Sequence, residues 1–241
     1  MKKNIGSKIV KKSKDFLSQI PSWELAYKKN NKSDITFNKN EWTSAPAKFT
    51  DKDLTIFGYA VMEDWEHPYM KALADIAAKG GGKVLELGFG MGISAEYIQA
   101  HPVIEHIIIE ANHEVAERAR EFAKKAPHST TILEGFWEQV IDQIPDNSLD
   151  GILFDTYPLS DLELYQNHFF FFPYAFKKLK KGGIFTYYSD EIKSFGRVHL
   201  KKLLKAGFTQ ENIQGSAVAV NPPENCEYWK AKTMLAPVVK K

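Results

Sequence analysis

The stretch that decides the fold runs from Val84 to Gly92 and reads VLELGFGMG. Its first four residues have the apolar character of a short, buried strand. The glycines at positions 88, 90 and 92 allow the backbone to turn tightly and to approach a ligand closely. Helical sequence resumes over residues 93–99, so this stretch predicts a strand, a ligand-binding turn and a helix in succession.

Strands and helices continue to alternate towards the C-terminus. A turn with two prolines joins the last two predicted strands, which favours an antiparallel hairpin at the edge of the sheet. The pattern predicts an α/β fold with a mostly parallel, seven-stranded sheet and helices on both faces. The strands after the first are predicted at 106–110, 130–133, 149–155, 184–188, 216–220 and 229–239.

The charge balance excludes several classes of partner. The 241 residues include 32 Lys and Arg against 30 Asp and Glu, and Arg118, Arg120 and Arg197 are the only arginines. Because arginine is the preferred side chain for bidentate contacts to phosphate and guanine, we expect no nucleic-acid partner. The chain has no apolar run of about 18 residues, so we also expect no membrane partner.

The compartment and the organisation of the chain are predicted from simple features. The single cysteine, Cys226, excludes an intrachain disulfide, and the N-terminus lacks a secretory signal. We therefore expect a cytoplasmic monomer or homodimer.

The first 33 residues carry nine lysines, so residues 1–41 are expected to form a basic, partly disordered extension. A single domain is expected over 42–241, with a helical lid at 42–79 and a Rossmann-like core at 80–241.

The glycine turn favours a particular ligand. Dinucleotide sites usually have the third glycine one place later, in the pattern G-x-G-x-x-G. Here Glu86 opens the turn, and its carboxylate would repel a pyrophosphate. A cationic ligand such as the amino-acid end of S-adenosylmethionine suits this turn better, while NAD and a plain strand-to-helix turn remain alternatives.

Two further positions indicate a nucleoside site. Glu110 ends the second strand of the predicted sheet, where a carboxylate can accept hydrogen bonds from both ribose hydroxyls. A surface glutamate at a strand end is the alternative. Phe136 and Trp137 follow the third strand and would stack on adenine or pack in the core.

Acidic residues in two separate segments indicate where a reaction would take place and what kind of group would react. Asp155 ends the fourth strand and is followed by Thr156-Tyr157-Pro158, which resembles the Asp-Pro-Pro-Tyr type of motif that positions an amino group for methylation. Ligands of open α/β sheets lie beside such strand ends. The segment 62–70, MEDWEHPYM, combines three carboxylates with aromatic residues and methionines, and it is interpreted as a lid over the site.

Four segments of the chain closely resemble the guanidinoacetate N-methyltransferase family. They are residues 61–70, 85–91, 109–112 and 151–160, and the resemblance runs from about Trp42 to the C-terminus. Members of that family methylate guanidinoacetate with S-adenosylmethionine, which gives creatine and S-adenosylhomocysteine. The resemblance therefore implies a class I methyltransferase fold, this cofactor and a small guanidino substrate.

The resemblance also implies roles for particular residues, and it requires no metal. Glu66 and Asp155 would hold the guanidinium group, with Tyr157, Asp190 and Glu191 at the same substrate. The resemblance assigns the cofactor contacts to Trp42, Met62, Met70, Phe89, Gly90, Met91, Gly92, Ile93, Ser94, Glu110, Asn112 and Trp137. From their places in the glycine turn and at the strand ends, we expect Glu86, Gly88, Ala111, Phe136 and Asp155 to contact the cofactor as well.

The paired carboxylates fit the chemistry of this reaction. A guanidinium has a pKa of about 12.5 or above, so it is charged and its nitrogens have no free lone pair. The methyl donor is also a cation, and two carboxylates offset the repulsion and orient the attacking nitrogen. We expect Asp155 to take up the proton as the nitrogen attacks, with Glu66 as the clamp in a direct SN2 transfer.

One departure from the family opens a question about the substrate. Asp190 and Glu191 occupy the positions whose backbone N–H groups bind the substrate carboxylate in the family. Two acidic side chains there would repel a carboxylate. Either both turn outward, which keeps guanidinoacetate as the first candidate, or the substrate has an amine or neutral tail, as in agmatine.

Three other classes of function were weighed against this interpretation. A protein arginine methyltransferase would use the same carboxylates, but the chain lacks room for an additional β-domain that would hold a peptide. An NAD-dependent oxidoreductase disagrees with the glycine spacing and with Glu86. A catalytically silent binding module disagrees with the presence of Glu66, Glu110 and Asp155 together.

Overall fold

The computed structural model describes residues 37–160, 163, 164 and 166–241, so most of the predicted basic extension lies outside the described residues. The described chain begins with helix α1 (Lys39–Ser44) and three short strands, β1 (Ala47–Phe49), β2 (Asp53–Ile56) and β3 (Tyr59–Glu63). These strands form a small antiparallel sheet.

The small sheet differs from the helical segment that the sequence predicts over 42–79. Its strands are three to five residues long, which is too short for a recognisable period. Phe57 and Gly58, between β2 and β3, both have positive φ, at 54° and 82°. Such a turn suits a tight hairpin, but phenylalanine is not a residue that signals one.

Helix α2 (His67–Ala78) follows a 3₁₀ turn at Asp64–Glu66 and confirms the helical part of that prediction. Its buried face, which includes Tyr69, Met70 and Leu73, packs on the large sheet. The approach is close, since a Cβ atom added at Gly151 would lie 1.9 Å from the carbonyl oxygen of Ala77.

The large sheet has seven strands. They are β4 (Gly82–Leu87), β5 (Val103–Glu110), β6 (Ser129–Glu134), β7 (Leu149–Phe154), β8 (Leu179–Tyr187), β9 (Ile213–Ala219) and β10 (Thr233–Lys240). The strand order is β6-β5-β4-β7-β8-β10-β9. Four neighbouring pairs are parallel, and β10 is antiparallel to both β8 and β9, so the predicted sheet and its C-terminal hairpin are confirmed.

Helices cover both faces of this sheet, as predicted. Alternate residues of β4 belong to two different hydrophobic clusters, with Val84 in one and Leu85 and Leu87 in the other. The remaining helices are α3 (Ile93–Gln99), α4 (His113–Ala123), α5 (Trp137–Val140), α6 (Asn167–Lys178) and α7 (Arg197–Ala206). No helix in the described ranges combines the length and the apolar character that crossing a membrane requires.

The strand order positions the site. The chain adds β5 and β6 on one side of β4 and then returns to place β7 on its other side. Ligands of open α/β sheets bind at such a switch point, outside the carboxyl ends of the strands. The carboxyl ends of β4 and β7 are followed directly by Gly88 and Asp155.

Candidate active site

A cavity of about 760 Å³ lies at this end of the sheet. The small sheet covers it with Leu54, Ile56 and Val61, while the carboxyl ends of the parallel strands form its floor. The cavity therefore brings together many of the residues predicted from the sequence. Those that border it are Trp42, Met62, Glu66, Gly88, Gly90, Glu110, Ala111, Phe136, Trp137, Asp155, Tyr157 and Asp190.

The other predicted residues lie behind the wall of the cavity. Met70 and Ile93 are buried in the core, and Phe89 packs against Phe122 with 5.6 Å between ring centroids. The remainder of this set, which does not border the cavity, comprises Glu86, Met91, Gly92, Ser94, Asn112 and Glu191.

The glycine turn is shaped by its neighbours on both sides. Gly88 has φ 87°, and a Cβ atom there would lie 1.9 Å from the carbonyl oxygen of Asp155. At Gly90, which has φ 55°, a Cβ atom would lie 2.9 Å from the sulfur of Met62. The Met91 N–H donates to the same sulfur at 3.3 Å. Glycine is therefore required for close packing as well as for the turn.

Glu86 faces the core and does not reach the cavity. It accepts a hydrogen bond from the Ser94 hydroxyl, and its other carboxylate oxygen lies 2.9 Å from Nε2 of the buried His106. Position 86 shares its side of β4 with Val84, beneath α3, which explains the direction of the side chain. The expectation that this carboxylate faces a cationic ligand is thus corrected: Glu86 fixes the start of α3.

Glu110 borders the cavity and also holds the turn. Its carboxylate accepts hydrogen bonds from the backbone N–H groups of Phe89, at 2.9 Å, and Asn112, at 2.8 Å. Burial raises its pKa, and the backbone hydrogen bonds oppose that effect. A carboxylate has about four acceptor sites, so Glu110 can still accept hydrogen bonds from a ligand.

Asn112 supports the site from behind. Its side-chain oxygen caps α4 by accepting from the Val115 N–H at 3.2 Å, and its amide donates to the carbonyl oxygens of Trp42 and Ala45 at 2.9 and 2.8 Å. Trp42 stacks on Tyr157 with 5.0 Å between ring centroids. Asn112 is therefore placed to position Trp42 rather than to touch a ligand.

The two aromatic residues after β6, Phe136 and Trp137, both border the cavity, and Trp137 also packs in the core. Trp137 borders the cavity and meets Phe154 and Phe171 edge to face, at centroid distances of 6.5 and 5.2 Å. The Phe136 ring lies at the cavity with the Lys39 ammonium 4.8 Å from its centroid. The sequence left open whether Trp137 contacts a ligand or packs in the core. Because the side chain borders the cavity and also packs on core aromatic residues, the two roles are compatible.

Glu66 and Asp155 both border the cavity, and the pKa of each is raised. Glu66 is 3% exposed and accepts hydrogen bonds from the Glu63 N–H at 2.9 Å and the Tyr228 hydroxyl at 2.7 Å. Burial and the charge of Asp155 raise the pKa of Glu66 to about 8. Burial and the charge of Glu86 raise the pKa of Asp155 to about 7. A bound cation would restore both charges.

Asp190 and Glu191 point in different directions. Glu191 is 2% exposed, and its carboxylate accepts from the Gly196 N–H at 2.8 Å and lies 3.4 Å from Nδ1 of His199. Asp190 borders the cavity and has φ 56°, in the left-handed region. One expectation from the sequence was that both side chains turn outward; instead, Asp190 borders the cavity, and Glu191 turns away from the cavity into the core beside His199.

Two tyrosines at the site were missed from the sequence. Tyr228 comes from the segment between β9 and β10, and no sequence signal connects it with Glu66. Tyr188 directly follows β8, and its buried hydroxyl has no hydrogen-bond partner within the described residues. Its place at the end of a parallel strand was the signal that could have identified it.

The comparisons with known proteins are in line with this geometry. A family model described as guanidinoacetate N-methyltransferase matches residues 33–241, so the match begins earlier than the expected boundary at Trp42. Protein arginine N-methyltransferase 2 of Kluyveromyces lactis is 32% identical over 136 residues, which cover 54% of this chain and 32% of the relative. The same-named protein of Yarrowia lipolytica is 26% identical over 170 residues, covering 66% and 35%. The chain thus spans about a third of the length of these curated relatives.

Solved structures support the fold. Spermidine synthase from Thermotoga maritima has a TM-score of 0.57 at 17% identity, and the match covers 81% of this chain and 72% of that chain. A spermidine synthase in complex with the transition state analogue AdoDATO has a TM-score of 0.59 at 16% identity, with the same coverage. At such low identity these likenesses bear on the fold alone.

Proposed function

The chain belongs to the guanidinoacetate N-methyltransferase family and its cofactor is S-adenosylmethionine; from this premise we propose that it methylates a guanidinium nitrogen of a small molecule. One observation carries the proposal, namely that the carboxylates of Glu66 and Asp155 border the same cavity as the glycine turn. Two carboxylates in one cavity repel each other unless a cation lies between them.

The cavity suits the cofactor. Gly88 and Gly90 would let the backbone approach it, Glu110 would accept the ribose hydroxyls, and Phe136 and Trp137 would contact the adenine. When bound, S-adenosylmethionine supplies an electrophilic methyl group on a sulfonium cation. The many acidic side chains that border the cavity favour that positive charge.

Glu66 would act as the clamp on the guanidinium. Within the described part of the chain, the Glu63 N–H and the Tyr228 hydroxyl donate to its carboxylate, and both bind the same oxygen, Oε1. This arrangement fixes the carboxylate and leaves Oε2 for an N–H group of the substrate. A carboxylate held in this way orients a planar guanidinium before the reaction.

Asp155 would act as the base. The attacking nitrogen must lose a proton as its lone pair forms the new bond to carbon, and the proton passes to the Asp155 carboxylate. A pKa of about 7 allows this group to be ionised before the transfer and protonated after it. Its position at the end of β7, beside Gly88, places it at the switch point of the sheet.

A second candidate substrate is an arginine side chain of a protein. The curated relatives are named protein arginine N-methyltransferase 2, and arginine carries the same guanidinium group. The clamp and the base would serve this substrate in the same way. An arginine-containing peptide therefore belongs in any assay of the proposed function.

The test is a methyl-transfer assay with the purified full chain. We expect S-adenosylmethionine to bind in isothermal titration, NAD to fail to bind, and a labelled methyl group to appear on a small guanidino compound. The panel contains guanidinoacetate, 3-guanidinopropionate, 4-guanidinobutyrate, arginine, agmatine and the arginine peptide. The proposal fails if no S-adenosylmethionine binds, or if no small guanidino compound is methylated.

The first prediction concerns Glu66 and pH. For a cationic substrate, kcat/KM should rise with pH through the region of about 7 to 8, because the carboxyl groups of the free enzyme are neutral below their pKa values.

Glu66→Gln keeps an oxygen for Glu63 and Tyr228 but removes the charge. We expect it to weaken guanidino binding by roughly 10-fold or more, the scale of a lost hydrogen bond to a charged group.

This prediction is checked by kcat/KM profiles between pH 5.5 and 9 and by titration of the substrate into the enzyme. The affinity of Glu66→Gln for S-adenosylmethionine should stay within a few-fold of the original, which serves as the control for folding. Unchanged substrate affinity in Glu66→Gln would exclude the clamp role, and a pH-independent kcat/KM would exclude both carboxyl assignments.

A further inference from the structure

We infer that Asp190 forms a separate anionic subsite that selects a substrate whose tail carries a positive charge, such as an amine, over one whose tail carries a carboxylate. The inference rests on the proposed function and narrows its substrate class. It is carried by the direction of the Asp190 side chain, by the charges that border the cavity and by the unpartnered polar groups beside it.

The strand order places Asp190 at the substrate end of the cavity. Glu110 ends β5, Asp155 follows β7, and Asp190 follows β8, in the spatial order β5-β4-β7-β8. Neighbouring strands lie about 4.8 Å apart, so Asp190 is one strand beyond the proposed base and roughly 14 Å across the sheet from Glu110. A carboxylate there is too far away to serve the ribose, and it faces the part of the substrate beyond the guanidinium.

The backbone fixes the direction of Asp190. The Ser189 hydroxyl donates to the Leu235 carbonyl oxygen at 2.6 Å, and the Leu235 N–H donates to the Glu191 carbonyl oxygen at 2.7 Å. The residues on both sides of Asp190 are therefore tied to β10. The left-handed conformation at Asp190, with φ 56°, brings its side chain to the cavity while Glu191 faces His199. Such backbone conformations are retained where the surrounding structure requires them.

The charges that border the cavity disfavour a carboxylate tail. Among the residues that the structure describes, Lys39 is the basic side chain at the cavity, and it already pairs with Glu138 at 2.9 Å. The Glu191 N–H, one of the two donors that the family resemblance assigned to a carboxylate, donates instead to the Ser189 hydroxyl oxygen at 3.2 Å. The acidic side chains at the cavity are Glu66, Glu110, Glu138, Asp155, Glu163, Asp190 and Glu227.

Asp190 also lies among polar groups that lack partners. The buried His168 has no hydrogen bond on either ring nitrogen within the described ranges, and its Nδ1 lies 3.9 Å from Oδ2 of Asp190. Burial and the charges of Asp155 and Glu191 raise the pKa of Asp190. An ammonium group would offset that repulsion and offer N–H donors to Asp190 and to the Tyr188 hydroxyl.

The test compares substrates that differ only in the tail. Agmatine and 5-guanidinopentanoate both carry four methylenes, with an amine on one and a carboxylate on the other, and butylguanidine is the neutral control. We expect kcat/KM for agmatine to exceed that for 5-guanidinopentanoate by roughly 30-fold or more, the scale of a buried charge pair. Guanidinoacetate serves as the reference substrate of the family.

Asp190→Asn assigns the preference to this side chain. Asparagine tolerates the left-handed conformation as aspartate does, so the backbone is retained. We expect the agmatine to 5-guanidinopentanoate ratio to fall at least 10-fold in this variant. The matched control is Glu191→Gln, which neutralises the neighbouring acid that faces away. Because the charge of Glu191 raises the pKa of Asp190, this variant should keep or raise the ratio and not lower it. Because a ratio of two substrates does not depend on the amount of folded enzyme, partial unfolding of either variant does not obscure the result.

The outcomes separate this inference from the proposed function. Preference for 5-guanidinopentanoate or guanidinoacetate over agmatine would overturn the cationic tail and leave guanidino methylation standing. An unchanged ratio in Asp190→Asn, or an equal fall in Glu191→Gln, would overturn the role of Asp190. Absence of methylation for every guanidino compound would overturn both proposals.

Discussion

Replacement of Asp155 by asparagine is expected to lower kcat by about 10²-fold or more, the scale of a lost general base. Asparagine has nearly the same shape, but its amide cannot take up the proton that the attacking nitrogen must lose. The affinity for S-adenosylmethionine should stay within a few-fold, because the Asp155 backbone N–H still donates to the Leu87 carbonyl oxygen at 2.9 Å and retains the contact between β7 and β4.

Single-turnover kinetics with saturating cofactor and substrate would measure this effect on the chemical step. The control is Asp150→Asn at the other end of β7, where the carboxylate binds the Lys83 N–H at 2.8 Å and the Lys180 ammonium at 2.7 Å. That variant should lose some stability and keep its turnover. If Asp155→Asn turns over near the original rate, the proton passes to another group and the assigned base is wrong.

The second large effect is expected for Gly88→Ala. Alanine in the left-handed region costs about 1–2 kcal/mol, and its Cβ would also lie 1.9 Å from the Asp155 carbonyl oxygen. Relief of that overlap must separate the ends of β4 and β7, where the proposed base and the glycine turn meet. We expect the free energy of unfolding to fall by about 4 kcal/mol or more and turnover to fall by roughly 10²-fold.

Gly58→Ala is the matched control for this prediction. Gly58 has φ 82°, close to the 87° of Gly88, but a Cβ atom added there would meet nothing within 4 Å. It therefore carries the conformational cost without the overlap, and cofactor affinity should be retained. Chemical denaturation and titration with S-adenosylmethionine would compare the two variants. Equal losses in both would mean that backbone conformation alone, and not contact between strands, requires glycine at position 88.

The large sheet could be predicted because each of its strands carries a local signal. Runs such as 84–87 and 106–110 are apolar, and the glycine turn and the helical segments separate them. The small sheet carries no such signal, since β1 has only three residues and the turn at Phe57 lacks the usual turn chemistry. Such short strands are stabilised by the residues on which they pack. Those contacts join distant parts of the chain, so a local sequence pattern does not predict them.

The residues that border the candidate site could be predicted where an acidic residue ends a strand. Glu110 and Asp155 could be placed in this way, and both border the cavity. Glu86 lies just before the glycine turn, which suggests a ligand contact, whereas the alternation of side chains along β4 turns its carboxylate into the core. Tyr228 could not be found, because its contact with Glu66 depends on how the last hairpin packs.

The hydrogen bond between Glu66 and Tyr228 also bears on the order in which parts of the cavity form during synthesis. Glu66 and Tyr228 are 162 positions apart, and the Tyr69 hydroxyl donates at 2.8 Å to the carbonyl oxygen of Leu235 in β10. Because β10 inserts between β8 and β9, a nascent chain on the ribosome cannot complete the sheet until its final strand has emerged. Contacts between such distant segments form slowly. The contact of the proposed clamp with Tyr228 would therefore form only after the segment between β9 and β10 has left the ribosome, and a nascent chain with β9 and β10 still in the exit tunnel would lack it.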